Sequence, residues 1–318
     1  MFAGIPQSLL KCTIVVPAYN AARFIEGTLL SVCRQSVQAW QLVVVDDGST
    51  DDTLARVRGI RDPRIQMVSQ ENLGPSAARN HGLRLAKAPY VLFLDSDDLL
   101  SPDALERLLP PLEGDASCVA AYGEVTIIDE SGRPTGTGAR PIFNSRPSGD
   151  VLETLVQRNF IVTGGALCIR REAALAAGAF CEDLAVAEDL EFWCRLALQG
   201  PIQYIAGNSV LAYRIHDGSV VRSRGAVPTD ALRCIEAIFR NPAIQARLGA
   251  RRGLFRRRAV ASVYSFTANQ HLRAGRWAVA RRLLVHSLMR HPFQRREWIL
   301  LSLAVVGWLP SSVRKHLK

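Results

Sequence analysis

Short apolar runs that end in polar residues alternate with helix-like segments in the first third of the chain. The runs are rich in valine, isoleucine and leucine and stop at turn-forming residues, which is typical of buried strands. The segments between them carry apolar residues on one helical face, such as Phe24, Leu29 and Val32. This alternation predicts βαβ units and an α/β fold with a mostly parallel sheet. Strands are predicted at 13–20, 41–49, 64–69 and 90–98, and helices at 21–35, 51–60 and 76–87.

The last part of the chain has a different pattern. Residues 228–318 resemble a series of helices in which short apolar stretches lie among many arginines. The longest apolar run, 298–309, has 12 residues, fewer than the roughly 20 that a membrane-spanning helix needs. We therefore expect no conventional spanning helix.

Polar side chains cluster where the predicted strands end. In a parallel sheet the carboxyl ends of the strands share one edge, and ligands bind there. Asp and Asn also favour turns and helix caps, which explains any one of them alone. Three strands that bring polar residues to one edge favour a binding site. The residues are Tyr19 and Asn20 after the first strand, Asp46 and Asp47 after the second, and Asp95, Asp97 and Asp98 after the fourth.

The stretch "YVLFLDSDD" places three carboxylates directly after a buried strand. Asp95 and Asp97 are two residues apart, so in an extended chain they point to one side and Asp98 to the other. Like charges this close raise each other's pKa unless a cation lies between them. Mg²⁺ and Mn²⁺ prefer oxygen ligands and leave coordination positions for phosphate oxygens. The stretch therefore predicts a metal site for a phosphate-bearing ligand.

Charge divides the chain into two regions. The 318 residues have a net charge of +10, but from Pro228 onward 18 Lys and Arg face 3 Asp and Glu, and before it 21 face 26. A mildly acidic body with a basic tail indicates two functional regions. We predict one domain over 1–227 and a basic helical extension over 228–318.

The seven cysteines are scattered and form no C-x-x-C pair. The first residues lack the charged and then apolar pattern of a leader peptide. We therefore expect reduced thiols in a cytoplasmic protein.

The stretches "TIVVPAYNAARFIEGTLLSVCRQSVQAWQLVVVDDGSTDDT" and "ENLGPSAARNHGLRLAKAPYVLFLDSDD" carry most of these polar strand ends. Together they resemble the nucleotide-sugar half of the family 2 glycosyltransferases, and the resemblance extends over 11–216. It implies the GT-A fold, a mixed and mostly parallel sheet flanked by helices. Residues 11–98 are then the nucleotide-sugar-binding half of a catalytic domain, and 99–227 the acceptor-side half.

The resemblance also implies roles for the polar strand ends. Asp47 is expected to bind the nucleobase, Tyr19 to lie against it, Arg79 to reach the nucleotide and Asp95 to lie near the ribose. Asp97 or Asp98 is expected to hold Mn²⁺ or Mg²⁺, and the sequence leaves open which. His216 could complete the metal shell or donate to phosphate. The full nucleotide-sugar set is Pro17, Tyr19, Asn20, Asp46, Asp47, Arg79, Asp95 and Ser96, with Arg214 and Arg222 at the diphosphate or on a closing loop.

A general base is expected from "AVAEDLEFWCRLALQG". Glu188 and Asp189 begin a helix there, where acidic residues also complement the helix dipole. The segment is similar to the acceptor-side segment of the family, in which this pair lies beneath the acceptor hydroxyl. We predict Asp189 as the base, with Glu188 orienting it or exchanging roles with it. Direct displacement with inversion at the anomeric carbon follows from this arrangement.

The expected activity is transfer of one sugar from a nucleoside-diphosphate sugar, with UDP as the commonest nucleotide of the family. The Q-x-x-R-W signature of processive members is absent, so we expect a single addition to a glycan or lipid-linked acceptor. An inactive scaffold with this fold is the main alternative. A dinucleotide oxidoreductase is excluded because no G-x-G-x-x-G follows the first strand. No nucleic-acid motif is present, and we expect no nucleic-acid partner.

Two interpretations of the basic tail remain open. Arginines beside apolar residues suit an anionic membrane surface, and Trp298 and Trp308 flank the last apolar run. The tail could instead be a helical cap whose arginines are only solvated. The first interpretation predicts peripheral attachment at the inner face of the cell membrane.

Overall fold

The computed structural model describes residues 6–135, 146–218 and 227–307. The chain divides into two compact units. The first consists of Met1–Leu152 and Phe160–His216, and the second of Glu153–Asn159 and Asp217–Lys318.

The first unit is built on a mixed sheet. Among the described residues it has eight strands, in the order β3–β2–β1–β4–β7–β6–β8–β5. In chain order the strands are β1 Cys12–Ala18, β2 Trp40–Asp46, β3 Ile65–Ser69, β4 Tyr90–Phe93, β5 Leu99–Leu100, β6 Ala120–Ile128, β7 Leu167–Arg170 and β8 Ile202–Arg214.

The four strands predicted from sequence form the parallel part of the sheet, as expected. β1 pairs in parallel with β2 and β4, and β2 pairs in parallel with β3. All residues of β1 and β2 are buried, which explains their continuous apolar sequences. β7 is antiparallel to both β4 and β6, whereas β6 and β8 run parallel.

Helices separate the parallel strands. Helix α3 packs closely on β1, because a Cβ at Gly82 would lie 2.2 Å from Val15 Cγ1. This close approach holds the helix that carries Arg79 against the sheet. The helices before residue 216 are α1 Ile25–Cys33, α2 Thr53–Gly59, α3 Pro75–Leu85, α4 Ala104–Leu108, α5 Pro110–Gly114, α6 Leu152–Leu155, α7 Arg171–Ala176 and α8 Glu188–Leu196.

The second unit is helical. Its core contains Ala268, Leu272, Leu284 and Leu300, and the buried Glu297 accepts a hydrogen bond from Ser265 Oγ at 2.7 Å. The helices are α9 Thr229–Arg240, α10 Pro242–Leu248, α11 Arg252–Arg273, α12 Trp277–Arg290 and α13 Arg295–Val306.

Two further predictions from the sequence concern membrane-spanning helices and the cysteines. In the part of the chain that the structure describes, no helix is both long and apolar enough to cross a bilayer. All seven cysteines fall within that part, and each is a free thiol.

Candidate active site

The carboxyl ends of β1, β2 and β4 lie side by side at one edge of the first unit's sheet. Pro17 is buried within β1 opposite Val45. Tyr19 follows the strand and is 50% exposed, so its ring is accessible for stacking. Ser96 follows β4, and its carbonyl oxygen accepts a hydrogen bond from Thr28 Oγ1 at 2.9 Å.

Asn20 connects the end of β1 to the turn after β2. It has a left-handed backbone conformation with φ of 47°, which Asn tolerates better than most residues. Its side-chain oxygen accepts from the Thr50 amide at 2.8 Å, and its own amide donates to Ser49 Oγ at 3.0 Å. Asp46 supports the same turn, since its Oδ1 accepts from the Ser49 amide at 3.2 Å. Both residues shape the loop around the predicted nucleotide site.

Asp47 is buried, and its carboxylate organises the segment that leads into α3. Oδ1 accepts from Gln70 Nε2 at 2.8 Å and from the Leu73 amide at 3.0 Å, and Oδ2 accepts from the Gly74 amide at 2.8 Å. Gly74 has a φ of +92°, which favours glycine. Gln70 Oε1 in turn lies 2.8 Å from His81 Nδ1 and accepts a hydrogen bond from it in the tautomer that carries the proton on Nδ1. The predicted contact of Asp47 with a nucleobase stays a prediction.

Arg79 joins the donor-side and acceptor-side segments. It lies on α3, and its guanidinium donates through Nη2 to Asp95 Oδ1 and through Nη1 to Glu188 Oε1, each at 2.8 Å. Burial disfavours its charge, but the two carboxylates outweigh that effect and raise the pKa of Arg79 above its ordinary value. Thr163 Oγ1 donates to the other oxygen of Asp95 at 3.0 Å. One buried cation thus holds two of the predicted site carboxylates together.

The three aspartates after β4 differ in exposure as their alternation predicts. The side chains of Asp95 and Asp97 are 30% and 29% exposed, whereas Asp98 is fully buried. Asp98 Oδ1 accepts from the Arg214 amide at 2.8 Å, and its Oδ2 has no hydrogen-bond partner among the described residues. Burial, together with the negative charges of Asp97 and Asp95, holds the pKa of Asp98 well above its ordinary value.

His216 lies beside Asp97. Its Nε2 is 2.8 Å from Asp97 Oδ2, and its ring packs on Phe24 with centroids 4.9 Å apart. Neighbouring ligands of a Mg²⁺ ion with bonds of about 2.0–2.1 Å are themselves about 3 Å apart. Within the described ranges no group of three or more His, Cys, Asp or Glu could enclose a metal. Metal binding by Asp97 and His216 stays a prediction.

Arg214 and Arg222 were both predicted near the diphosphate. Arg214 is buried; its Nε donates to the Asp97 carbonyl at 2.8 Å and its Nη1 to the carbonyls of Asp129 and Glu130 at 3.1 and 2.9 Å. These bonds tie β8 to the segments after β4 and β6, and contact with a diphosphate stays a prediction. Arg222 lies outside the described residues.

Helix α8 begins with the predicted base. Ala187 precedes it in a left-handed conformation, and Asp189 Oδ1 accepts from the Leu190 amide at 2.6 Å. Burial, reinforced by the negative charge of Glu188, raises the pKa of Asp189 to about 7. A carboxyl group with this pKa can exchange a proton near neutral pH.

The residues missed in the sequence include Gln70 and Thr163, which contact Asp47 and Asp95, and His81, which contacts Gln70. Gln70 follows β3, and its amide donates to the Asp46 carbonyl at 2.9 Å, so the strand-end rule would have found it. His81 lies two residues beyond Arg79 on α3, and no strand end in the sequence pointed to it. Thr163 precedes the antiparallel strand β7, whose start, not its end, lies at this edge. No pattern in the sequence marked that reversal.

Comparisons with known proteins place the chain in a family. The model of the family described as glycosyl transferase family 2 matches residues 13–176. Chondroitin synthase of Escherichia coli is 30% identical over 209 residues, which span 65% of this chain and 29% of that protein. TuaG of Bacillus subtilis, named for glycosyl transfer in teichuronic acid biosynthesis, is 30% identical over 212 residues, 65% of this chain and 80% of that protein.

Solved structures share the fold at low sequence identity. TarS 1–349 of S. aureus, in complex with UDP-GlcNAc, matches 94% of this chain and 88% of its own with a TM-score of 0.66 at 20% identity. The mannosyltransferase PcManGT of Pyrobaculum calidifontis, in complex with GDP-Man and Mn²⁺, matches 93% and 85% with a TM-score of 0.56 at 21% identity. The expected GT-A fold and the family resemblance are both confirmed. The chain belongs to glycosyl transferase family 2.

Proposed function

We propose that the protein transfers one sugar from a nucleoside-diphosphate sugar to a hydroxyl group, with inversion at the anomeric carbon. The observation that carries this proposal is the bridge from Arg79 to Asp95 and Glu188. Through it, the carboxylates that follow β4 and the carboxyl pair that begins α8 lie within the span of one guanidinium. A donor bound at the first group and an acceptor hydroxyl at the second would therefore be neighbours.

The nucleotide is assigned to the edge formed by β1, β2 and β4. Tyr19 offers an accessible ring for the base, and Asp47 holds the segment 70–74 that borders it. Each oxygen of an ionised carboxylate has two acceptor sites, so Oδ2, which accepts from Gly74, retains one for a base N–H. We assign Asp95, with Ser96 beside it, to the sugar or ribose hydroxyls.

Asp97 and His216 are the residues that would hold Mn²⁺ or Mg²⁺. Asp98 is less suited, because it is fully buried and its Oδ1 accepts from the Arg214 amide. When bound, the metal would stabilise the negative charge that develops on the departing diphosphate. Phe24 packs on the ring of His216 and fixes its orientation.

Asp189 is proposed as the general base. It would remove the proton of the acceptor hydroxyl while that oxygen forms a bond to the anomeric carbon. The bond from this carbon to the diphosphate oxygen breaks in the same step, and the nucleoside diphosphate leaves with the electron pair. Because the acceptor attacks opposite the leaving group, the configuration inverts.

We propose a UDP-sugar as donor and a glycan or lipid-linked saccharide as acceptor, with one sugar added per event. A fold neighbour solved with UDP-GlcNAc and relatives named for chondroitin and teichuronic acid synthesis support this substrate class. The chain covers less than a third of the chondroitin synthase, so the activity of that whole protein is not implied.

A panel of nucleotide sugars tests the proposal. Release of nucleoside diphosphate from UDP-, dTDP- and GDP-sugars would be measured with Mn²⁺, with Mg²⁺ and with EDTA, using both wild type and Asp189→Asn. We expect turnover of a UDP-sugar that EDTA abolishes and that the variant lacks. Donor binding without turnover of any donor, and without effect of the variant, would instead favour an inactive nucleotide-sugar-binding scaffold.

A further inference from the structure

The outward side of α13 is unusually apolar. Leu300 and Ala304 are buried on its inner side. Trp298, Ile299, Val305 and Val306 lie on the opposite side of the helix and are 51%, 58%, 63% and 75% exposed. A helix that covers a core normally exposes charged and polar residues there, so this side needs another explanation.

The apolar surface continues into the connection between α12 and α13. Phe293 is 89% exposed and Met289, at the end of α12, is 70% exposed. The indole Nε1 of Trp298 donates to the Pro292 carbonyl at 2.8 Å, which brings the connection next to the start of α13. We define the apolar patch as Met289, Phe293, Trp298, Ile299, Val305 and Val306.

The charges beside the patch have one sign. Residues 276–307 contain six arginines and one acidic residue, Glu297. Glu297 is buried, accepts from Ser265 Oγ and lies 3.3 Å from Arg296 Nη1, so it balances part of the charge of Arg296 but is not itself exposed to an approaching surface. Arg295 and Arg296 are exposed and directly precede Glu297 and Trp298. The apolar patch is therefore bordered by positive charge.

We propose that the apolar patch docks on an anionic lipid surface. Aromatic and aliphatic side chains would enter the boundary between headgroups and acyl chains, and the arginines would contact lipid phosphates. Trp suits this boundary because its ring is apolar and its N–H polar. The site would thereby operate beside a membrane, where a lipid-linked acceptor is held. The docking itself does not depend on the identity of the donor or the acceptor.

Two other occupants fit the charge and polarity less well. A symmetric dimer through this patch would place each patch against its own copy, and the arginines would then face arginines. Nucleic acid would satisfy the arginines, but its interfaces are polar, and aliphatic residues such as Ile299, Val305 and Val306 would gain little there. A lipid surface satisfies both the charge and the apolar area.

Vesicle sedimentation with the full chain tests the proposal. Binding to phosphatidylcholine vesicles would be compared with binding to vesicles that also contain phosphatidylglycerol. We expect strong binding only to the anionic vesicles, and weaker binding in about 0.5 M salt because the charges are screened. Arg295→Gln should weaken binding by about fivefold, since an arginine contributes roughly 1 kcal/mol at such a surface and about 1.4 kcal/mol is a factor of ten.

Matched variants separate this patch from general surface effects. Phe293→Ser with Ile299→Ser should weaken binding to anionic vesicles at least tenfold. Leu9→Ser with Leu175→Ser, which also replaces exposed apolar residues, should leave it unchanged.

Several results would overturn the proposal. The first is full-chain protein that stays in the supernatant with anionic vesicles. The second is an equal effect of the two apolar pairs. The third is light scattering that shows a dimer which the Phe293 and Ile299 changes dissociate, in which case the patch binds a second copy. Thermal melting of each variant confirms that it folds. The dependence of wild-type binding on lipid charge and on salt tests the proposal independently of the variants.

Discussion

At the strand-end edge of the first unit, Arg79 is mostly buried between two carboxylates and both of its terminal nitrogens donate to them. On α13 of the second unit, Arg295 and Arg296 are exposed beside outward-facing apolar residues. Burying a charge is costly unless it is paired and hydrogen-bonded, so the contacts of Arg79 hold Asp95 and Glu188 in position relative to each other. The second arrangement leaves charge and apolar area available to an external partner.

We expect the largest effect on activity from loss of Asp189, the proposed general base of the first unit. Asp189→Asn keeps the shape but removes proton acceptance, and we expect kcat to fall by about 10²–10⁴-fold, the usual contribution of a general base. Nucleoside diphosphate release measures this. The control is Asp183→Asn, an exposed aspartate just before α8, which should retain activity. More than a tenth of wild-type kcat in Asp189→Asn would contradict the assignment.

The metal assignment is tested at Asp97. Asp97→Asn weakens the ligand that pairs with His216, and we expect roughly a hundredfold loss of kcat because a metal is worth several kcal/mol to a developing negative charge. Titration of activity with Mn²⁺ should show a higher half-saturating concentration. Asp103→Asn, at the start of α4, serves as the control. An unchanged Mn²⁺ response in Asp97→Asn would break the proposed distinction between Asp97 and the buried Asp98.

Arg79→Gln tests whether the bridge from Arg79 to Asp95 and Glu188 holds the two carboxylates in position. The change leaves Asp95 and Glu188 without their shared cation, and breaking a buried ion pair costs about 3–5 kcal/mol. We expect a lower free energy of unfolding in denaturant titration, together with loss of transfer activity. Arg84→Gln, exposed on the same helix, should change neither. Wild-type stability and activity in Arg79→Gln would mean that the bridge has no structural or catalytic importance.

The pH dependence of the reaction sharpens the assignment of Asp189. Since the base must be deprotonated, kcat/KM should rise about tenfold per pH unit below 7 and level off above it. The same raised pKa means that the folded state binds this proton more tightly than the unfolded state, in which an Asp titrates near about 3.9. This carboxyl therefore makes folding less favourable as pH rises from about 4 to 7. Asp189→Asn should remove that contribution, and an unchanged pH profile of stability would contradict it.

The smallest expected effect concerns Gln70, which donates to Asp47. Gln70→Ala removes a hydrogen bond to the Asp47 carboxylate, a kind worth about 1.5–3 kcal/mol, together with the contact to His81. We expect a rise of about tenfold in the donor KM with kcat nearly unchanged. Initial-rate kinetics with varied donor measure this, and Glu71→Gln, an exposed neighbour, is the control. A fall in kcat with unchanged KM would place Gln70 in the chemistry and not in donor binding.

The sequence predicted the donor half of the fold well because local patterns determine it. β1 to β4 follow apolar runs, and the rule that parallel strands end at one edge correctly placed the ends of β1, β2 and β4 side by side. Alternation along the chain also predicted that Asp98 would face away from Asp95 and Asp97.

Contacts between distant segments could not be predicted in the same way. The bridge from Arg79 to Glu188 joins residues 109 apart, and no local pattern specifies it. The contacts of the Arg214 guanidinium with the backbone carbonyls of Asp97 and Glu130 were also not predicted. Likewise, the apolar residues of 298–309 suggested a membrane surface, but only the structure separates the inward Leu300 from the outward Ile299.

A crystal structure of the protein with Mn²⁺ and a nucleoside-diphosphate sugar would show directly whether donor and metal bind at the strand-end edge of the first unit. We expect the metal to be bound by Asp97, His216 and the diphosphate, with the base of the nucleotide beside Tyr19 and the anomeric carbon facing Asp189. A nucleotide bound at another part of the molecule, or a metal bound without Asp97 and His216, would contradict it.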